Sequence, residues 1–264
     1  MHRRDRRSVN PQGCLGPVYT VRSSAYASKG QFDLAIQDIS KVIQGDPSPQ
    51  ALMERAALYA AKGDAAAAGL DSKRACGLKP RSLDCYLGRG LIEFMEKKYG
   101  EAVADLTEAI KLNPDSARAY TLRQRTYESA RQWDNAIRDS DQLGKMLPEN
   151  IGALNGRCWT RAEADRDLDR ALDYCDEALK LQPKAAPIID SRAFVRFRMG
   201  QFDKAIADED EAIRLAPTAA AYFYVRGLAK RRLGDTAAGD ADIAAAKAIS
   251  PKIADSYADI GVAP

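Results

Sequence analysis

The stretch "YLGRGLIEFMEKKYGEAVADLTEAIKLNP" (residues 86–114) decides the fold. It holds two runs in which apolar and small residues recur at helical spacing, split by a short polar turn. That periodicity predicts a helix, a turn and a second helix. Pro114 closes the second helix, because proline cannot continue the backbone hydrogen-bond ladder. The same proline recurs at Pro47, Pro80, Pro114, Pro148, Pro183, Pro217 and Pro251, at steps of 33, 34, 34, 35, 34 and 34 residues. With each proline set at position 32, the chain reads as seven units of one helical hairpin each.

Other positions keep the same register. Large residues stand at position 4 (Tyr19, Leu52, Tyr86, Tyr120, Phe223) and small ones at position 8 (Ser23, Ala56, Gly90, Ala193, Gly227). Position 20 is alanine or glycine throughout: Ala35, Ala68, Ala102, Ala136, Ala171, Ala205 and Gly239. Position 17 is often aromatic or aliphatic, as in Phe32, Tyr99, Trp133, Leu168 and Phe202. The pattern closely resembles the tetratricopeptide repeat family over roughly residues 16–251. The resemblance implies an all-α fold: a right-handed α-solenoid of antiparallel helix pairs with a concave inner groove. Residues 1–15 are read as a mobile arm, 16–251 as seven repeats, and 252–264 as a capping helix and tail.

A charge pair is written into six of the units. Position 7 is arginine (Arg22, Arg55, Arg89, Arg123, Arg192, Arg226) and position 23 is aspartate (Asp38, Asp71, Asp105, Asp139, Asp208, Asp242). In a hairpin turning near position 15 or 16, facing positions sum to about 31, so 7 and 23 are near neighbours. An Arg–Asp bridge between helices is expected, serving packing register more than ligand binding. The fifth unit lacks both partners, having Cys158 at position 7 and Tyr174 at 23. Its Cys158 and Cys175 oppose each other by the same rule, and Cys76 and Cys85 are similarly placed about Pro80, leaving Cys14 over. Two readings stand: disulfides, which go with the periplasm or another exported location, or buried thiols, which go with the cytoplasm.

Composition excludes several functions. Net charge is +3, too balanced for a nucleic-acid partner. No apolar run approaches the roughly 18 residues of a membrane span. The opening "MHRRDRRSVNPQGC" has no apolar core behind its basic residues, so it is not a complete signal peptide. His2 is the single histidine, which rules out a histidine triad or a multi-histidine metal site. No phosphate loop, Cys-x-x-Cys or Gly-x-Ser-x-Gly is present. No catalytic residue, metal ligand or cofactor is expected.

In the family, positions 2, 5, 9, 12 and 13 of the first helix line the groove. Here they supply Met53, then Leu87, Leu91, Phe94 and Met95, then a charged middle with Arg118, Arg125 and Glu128, then Phe194, Phe197 and Tyr224. Two apolar strips flanking a charged stretch suit an apolar or amphipathic protein segment. Thr20, Ser24 and Glu54 stand where a carboxylate clamp for chaperone tails needs basic or amide side chains. The expected function is a non-enzymatic protein–protein interaction scaffold that takes a peptide or partner segment in its groove. The alternative is a self-associating structural protein with redox-sensitive cysteines. Leu91→Asp and Phe194→Asp are both expected to weaken binding without unfolding.

Overall fold

The computed structural model describes residues 15–263, so the expected arm falls almost wholly outside the described residues, as does Cys14. Fifteen helices follow one another among them, with no strand. They are α1 (Gly16–Ser28), α2 (Phe32–Gly45), α3 (Pro49–Lys62), α4 (Ala65–Leu78), α5 (Leu83–Met95), α6 (Tyr99–Leu112) and α7 (Ala117–Ser129). Then come α8 (Trp133–Met146), α9 (Ile151–Ala164), α10 (Leu168–Leu181), α11 (Ala186–Arg198), α12 (Phe202–Leu215), α13 (Ala220–Arg232), α14 (Thr236–Ile249) and α15 (Ile253–Ala258). The chain divides into two compact units, one up to Thr126 and one from Tyr127. In the first, α1 packs on α2, α3 on α4 and α5 on α6, and each pair stacks on the next. In the second, α9 packs on α10, α11 on α12 and α13 on α14, with α8 against α9. Each unit is thus an α-solenoid stack of helix pairs.

The repeat's local chemistry accounts for the helix ends. The residue before each periodic proline (Asp46, Lys79, Asn113, Leu147, Gln182, Ala216, Ser250) leaves the helical region, with ψ between 64° and 103°. Proline's ring clashes with a helical predecessor, so the second helix of every pair stops there. The turn inside each pair uses the left-handed region, at two residues between α9 and α10 (Asp165 and Asp167, φ 55° and 48°) and at one residue in the other six pairs. Gly30, Gly63, Gly200 and Gly234 supply it at φ 70°, 88°, 72° and 93°. Lys97 and Arg131 fill the same position at φ 60° and 56°, at some conformational cost. First helices start on side-chain caps where the sequence offers them. Ser48, Ser82 and Asn150 accept from the backbone N–H groups of Ala51, Cys85 and Ala153.

Packing uses the small positions as expected. The six alanines at position 20 have no exposed surface, and helices approach closely there. A methyl added to Gly227 would stand 2.7 Å from the Gly239 carbonyl oxygen.

The Arg–Asp bridge forms at 2.6 Å for Arg22–Asp38 and Arg55–Asp71, 2.8 Å for Arg89–Asp105, 2.7 Å for Arg192–Asp208 and 2.6 Å for Arg226–Asp242. Arg123 and Asp139 belong to different units. The arginine also reaches the preceding pair. Arg55 donates to Ser40, Arg123 to Thr107, Arg192 to Asp176 and Arg226 to Asp210. Every one of these acceptors is position 25 of the repeat before. The bridge therefore ties three helices, not two. Arg89 meets Lys73 at that place in the sequence, and its side chain stays half exposed.

Both cysteine pairs are bridged. Cys76–Cys85 joins α4 to α5 with Cα atoms 4.5 Å apart, and Cys158–Cys175 joins α9 to α10 at 5.5 Å. The fifth repeat thus carries a disulfide where the others carry the charge pair, and it keeps the stitch to its neighbour by other residues. Arg157 donates to Asp141, which stands at position 25 of the preceding repeat, and also to the Tyr174 hydroxyl. Its guanidinium carbon lies 3.6 Å from the centroid of the Tyr174 ring. Arg161, wholly buried, donates two further bonds to Asp141 at 2.8 and 3.0 Å.

Candidate functional site

The surface made by the first helices of successive pairs differs between the two units. In the first unit it is open. A cavity of about 520 Å³ is walled by Ala57, Ala60 and Ala61 of α3, by Leu87, Leu91, Phe94 and Met95 of α5, and by Arg118, Thr121, Leu122 and Arg125 of α7. Helical spacing puts the four α5 residues on one side, and the alanines of α3 leave the room. Leu87 is buried as the floor; Leu91, Phe94 and Met95 are half exposed. Arg125 is exposed and lies 5.8 Å above the Phe94 ring. Neither Arg118 nor Arg125 forms an ion pair among the described residues. The cavity therefore offers an apolar trough with positive charge on one bank. Met53 is not part of it. It is buried between α3, α4 and α5, with its sulfur where a side chain on Gly88 would have to go.

In the second unit the corresponding strip is closed, and the expectation of an exposed strip is corrected there. Phe194 and Tyr224 have no exposed surface, and Phe197 is buried. They belong to an aromatic cluster with Trp159, Phe202 and Tyr257. Tyr257 comes from α15, which folds back over α11 and α13 instead of only capping the last pair. Its ring meets Phe194 edge-on at 5.5 Å and lies 5.0 Å from Tyr224. A repeat register identifies which side of a helix a residue occupies; it carries no information on a non-repeating segment laid over that side.

Carboxyl groups sit beneath this cover. Asp190 faces Glu209, both buried. Burial pushes Asp190 up to about 7, and burial with the neighbouring Asp190 charge holds Glu209 well above the carboxylate range. Glu163 is pushed up to about 8, mainly by burial and then by Glu128. The Tyr257 hydroxyl is raised as well, by burial and then by Asp190, Glu209 and Glu163. These groups are enclosed acids, and both Glu209 oxygens and one Asp190 oxygen are buried without a hydrogen-bond partner. Among the described residues no three His, Cys, Asp or Glu side chains are placed to hold a metal ion, and no helix is long and apolar enough to cross a membrane.

Two models of the tetratricopeptide repeat match the chain, at residues 21–82 and 83–116. The human mitochondrial import receptor subunit TOM70 is 22% identical over 238 residues, which cover 73% of this chain and 39% of that protein. Hsp70-Hsp90 organizing protein 3 of Arabidopsis thaliana is 30% identical over 112 residues, covering 42% of this chain and 19% of that one. The chain thus spans well under half the length of either relative. Among solved structures, a tetratricopeptide repeat protein from Parabacteroides merdae superposes with a TM-score of 0.65 at 15% identity, covering 94% of this chain and 98% of that one. Repeat period, helix-pair packing and these matches agree: residues 21–116 match the tetratricopeptide repeat, and the chain has the fold of a tetratricopeptide repeat protein.

Proposed function

We propose that this protein–protein interaction scaffold holds a partner's segment in the cavity of its first unit, between α3, α5 and α7. The observation that carries the reading is the lining itself: Leu87, Leu91, Phe94 and Met95 on one side and two cations, Arg118 and Arg125, on the other. Apolar side chains of a partner would bury against α5, and Met95 with Phe94 would adapt to their shape. A carboxylate beside them would meet Arg118 or Arg125, which sets orientation and association rate more than affinity. The partner segment is therefore apolar with an adjoining acidic residue. Relatives named as an import receptor subunit and as an organizing protein for Hsp70 and Hsp90 support a protein-binding role.

Panning a random dodecapeptide library against the whole protein tests this. The selected peptides should combine apolar and acidic residues. Their affinity should fall tenfold or more with Leu91→Asp and less with Arg125→Glu, while circular dichroism stays as in the parent and Tm falls by no more than a few degrees. Peptides that bind Leu91→Asp and the parent equally would place the binding surface elsewhere.

A further inference from the structure

The segment over the second unit is held in an unusual way. Residues 253–263 comprise the six-residue helix α15 and a turn. A helix of that length does not persist alone in water, and Lys252 gives it no side-chain cap. Two side chains anchor it: Tyr257 against Phe194 and Tyr224, and the buried Val262. Ile253 and Ile260 are half buried beside them. The rest of the grip falls on the segment's backbone and on one carboxylate. Arg198 donates to the Ile260 carbonyl at 2.7 Å and Arg232 to the Ala263 carbonyl at 3.1 Å. Arg131 pairs with Asp259 at 3.2 Å. Asp255, Ser256, Ala258, Asp259 and Gly261 face solvent.

A few buried anchors, main-chain contacts from side chains at helix ends, and one ion pair at the rim are how a receptor surface holds a short peptide. The helix-pair contacts elsewhere in the chain are different, made along whole helices by buried alanine at position 20 and by Arg–Asp bridges or a disulfide that recur in register. We propose that this face of the second unit is a peptide-binding groove occupied by the chain's own residues 253–263, and that its outside partner is a protein segment of the same chemistry: an aromatic residue, a carboxylate two positions on, and aliphatic residues three and five positions on. In this chain those positions are Tyr257, Asp259, Ile260 and Val262. The internal segment holds Phe194, Phe197 and Tyr224 away from water, and a partner gains access by competing for them. Its apparent affinity is lowered by the fraction of molecules in which the internal segment is docked.

The probe is a fluorescein-labelled peptide of residues 251–263, "PKIADSYADIGVA", added to the full chain and followed by anisotropy. Tyr257→Ala should bind it at least tenfold more tightly than the parent protein does. Asp259→Arg, an exposed change that turns the Arg131 ion pair into a repulsion, should strengthen binding by a smaller factor and keeps the test alive if Tyr257→Ala lowers Tm. A probe with its tyrosine replaced by alanine should not bind either variant. Leu91→Asp, in the other unit, should leave all these values unchanged. Equal affinity for parent and both variants, or no binding to variants that remain folded, would overturn the proposal.

Discussion

Leu91 and Phe194 stand at the same place, the ninth position of their repeats, on first helices built to the same register. Leu91 lines an open cavity. Phe194 has no exposed surface and is enclosed by Trp159, Phe197 and Tyr257. The repeats account for part of this difference, since Trp159 and Phe197 flank Phe194 where small alanines of α3 face Leu91. The rest comes from eleven residues beyond the last periodic proline, Pro251: residues 253–263 bring Tyr257 and Val262 to the second unit. In a repeat protein, equivalent residues share a backbone position and can still have opposite roles, because exposure is decided by whatever else the chain lays over them.

The sharpest way to break that comparison is to put the same substitution at both places. Truncating a buried phenylalanine costs about 3–5 kcal/mol, and an aspartate there adds the burial of a charge. Phe194→Asp is therefore expected to abolish the cooperative unfolding transition of the second unit, or to shift it far down in urea. Leu91→Asp, half exposed, is expected to cost about 1 kcal/mol or less. Urea melts by circular dichroism check both. A stable, native-like Phe194→Asp would mean that the aromatic cluster is open in solution.

Next in size are the disulfides, one in each unit. Replacing both cysteines of Cys158–Cys175 by alanine should cost about 3 kcal/mol in a chain-entropy model, with slightly less for the shorter loop of Cys76–Cys85. Burial separates the two kinetically. Cys158 and Cys175 have no exposed surface, whereas Cys76 is half exposed. Dithiothreitol should reduce Cys76–Cys85 in the folded protein and reach Cys158–Cys175 only when the second unit opens. Mass spectrometry after denaturing alkylation without reductant should add one label per chain, since four of five cysteines are paired. Five labels would remove both bridges from the comparison.

Features that repeat, or act over a few residues, were legible in the sequence. The periodic prolines, the small residues at position 20 and the Arg–Asp bridge all follow from spacing alone, while the apolar strip of α5 was read from the groove positions that the family resemblance implies. The cysteine pairing was legible as geometry but not as chemistry, because opposed thiols and a disulfide have the same spacing. The contact of Arg55, Arg123, Arg192 and Arg226 with the preceding repeat was missed although a signal existed: position 25 is polar in Ser40, Thr107, Asp141, Asp176 and Asp210. It was hidden because its partner lies in the next repeat, outside the hairpin that sets the counting rule. The closure over Phe194, Phe197 and Tyr224 had no periodic signal. A single tyrosine in a six-residue helix contributes nothing to a repeat pattern, yet it packs over Phe194 and Tyr224.

The gentlest test of the comparison is pH. Each unit has a carboxyl group raised to about 7: Asp190 in the second, mainly by burial and set against Glu209, and Glu93 in the first, mainly by burial and then by Asp105. A raised carboxyl binds its proton more tightly in the folded than in the unfolded chain. Its contribution is present in full below about pH 4 and is lost as pH rises toward 7. Asp208 and the Tyr222 and Tyr257 hydroxyls also neighbour the Asp190–Glu209 pair, and Arg226 is the cation that opposes them. Because that pair is fully enclosed while Glu93 is half exposed, most of the slope should arise in the second unit. Glu209→Gln supplies Asp190 with an amide donor that needs no proton. It should raise Tm at pH 8 by a few degrees, change it little at pH 5, and so flatten the slope. Glu93→Gln should do the same by a smaller margin. A larger effect at Glu93 would reverse the order of enclosure, since only the more deeply buried carboxyl can lose more on ionising.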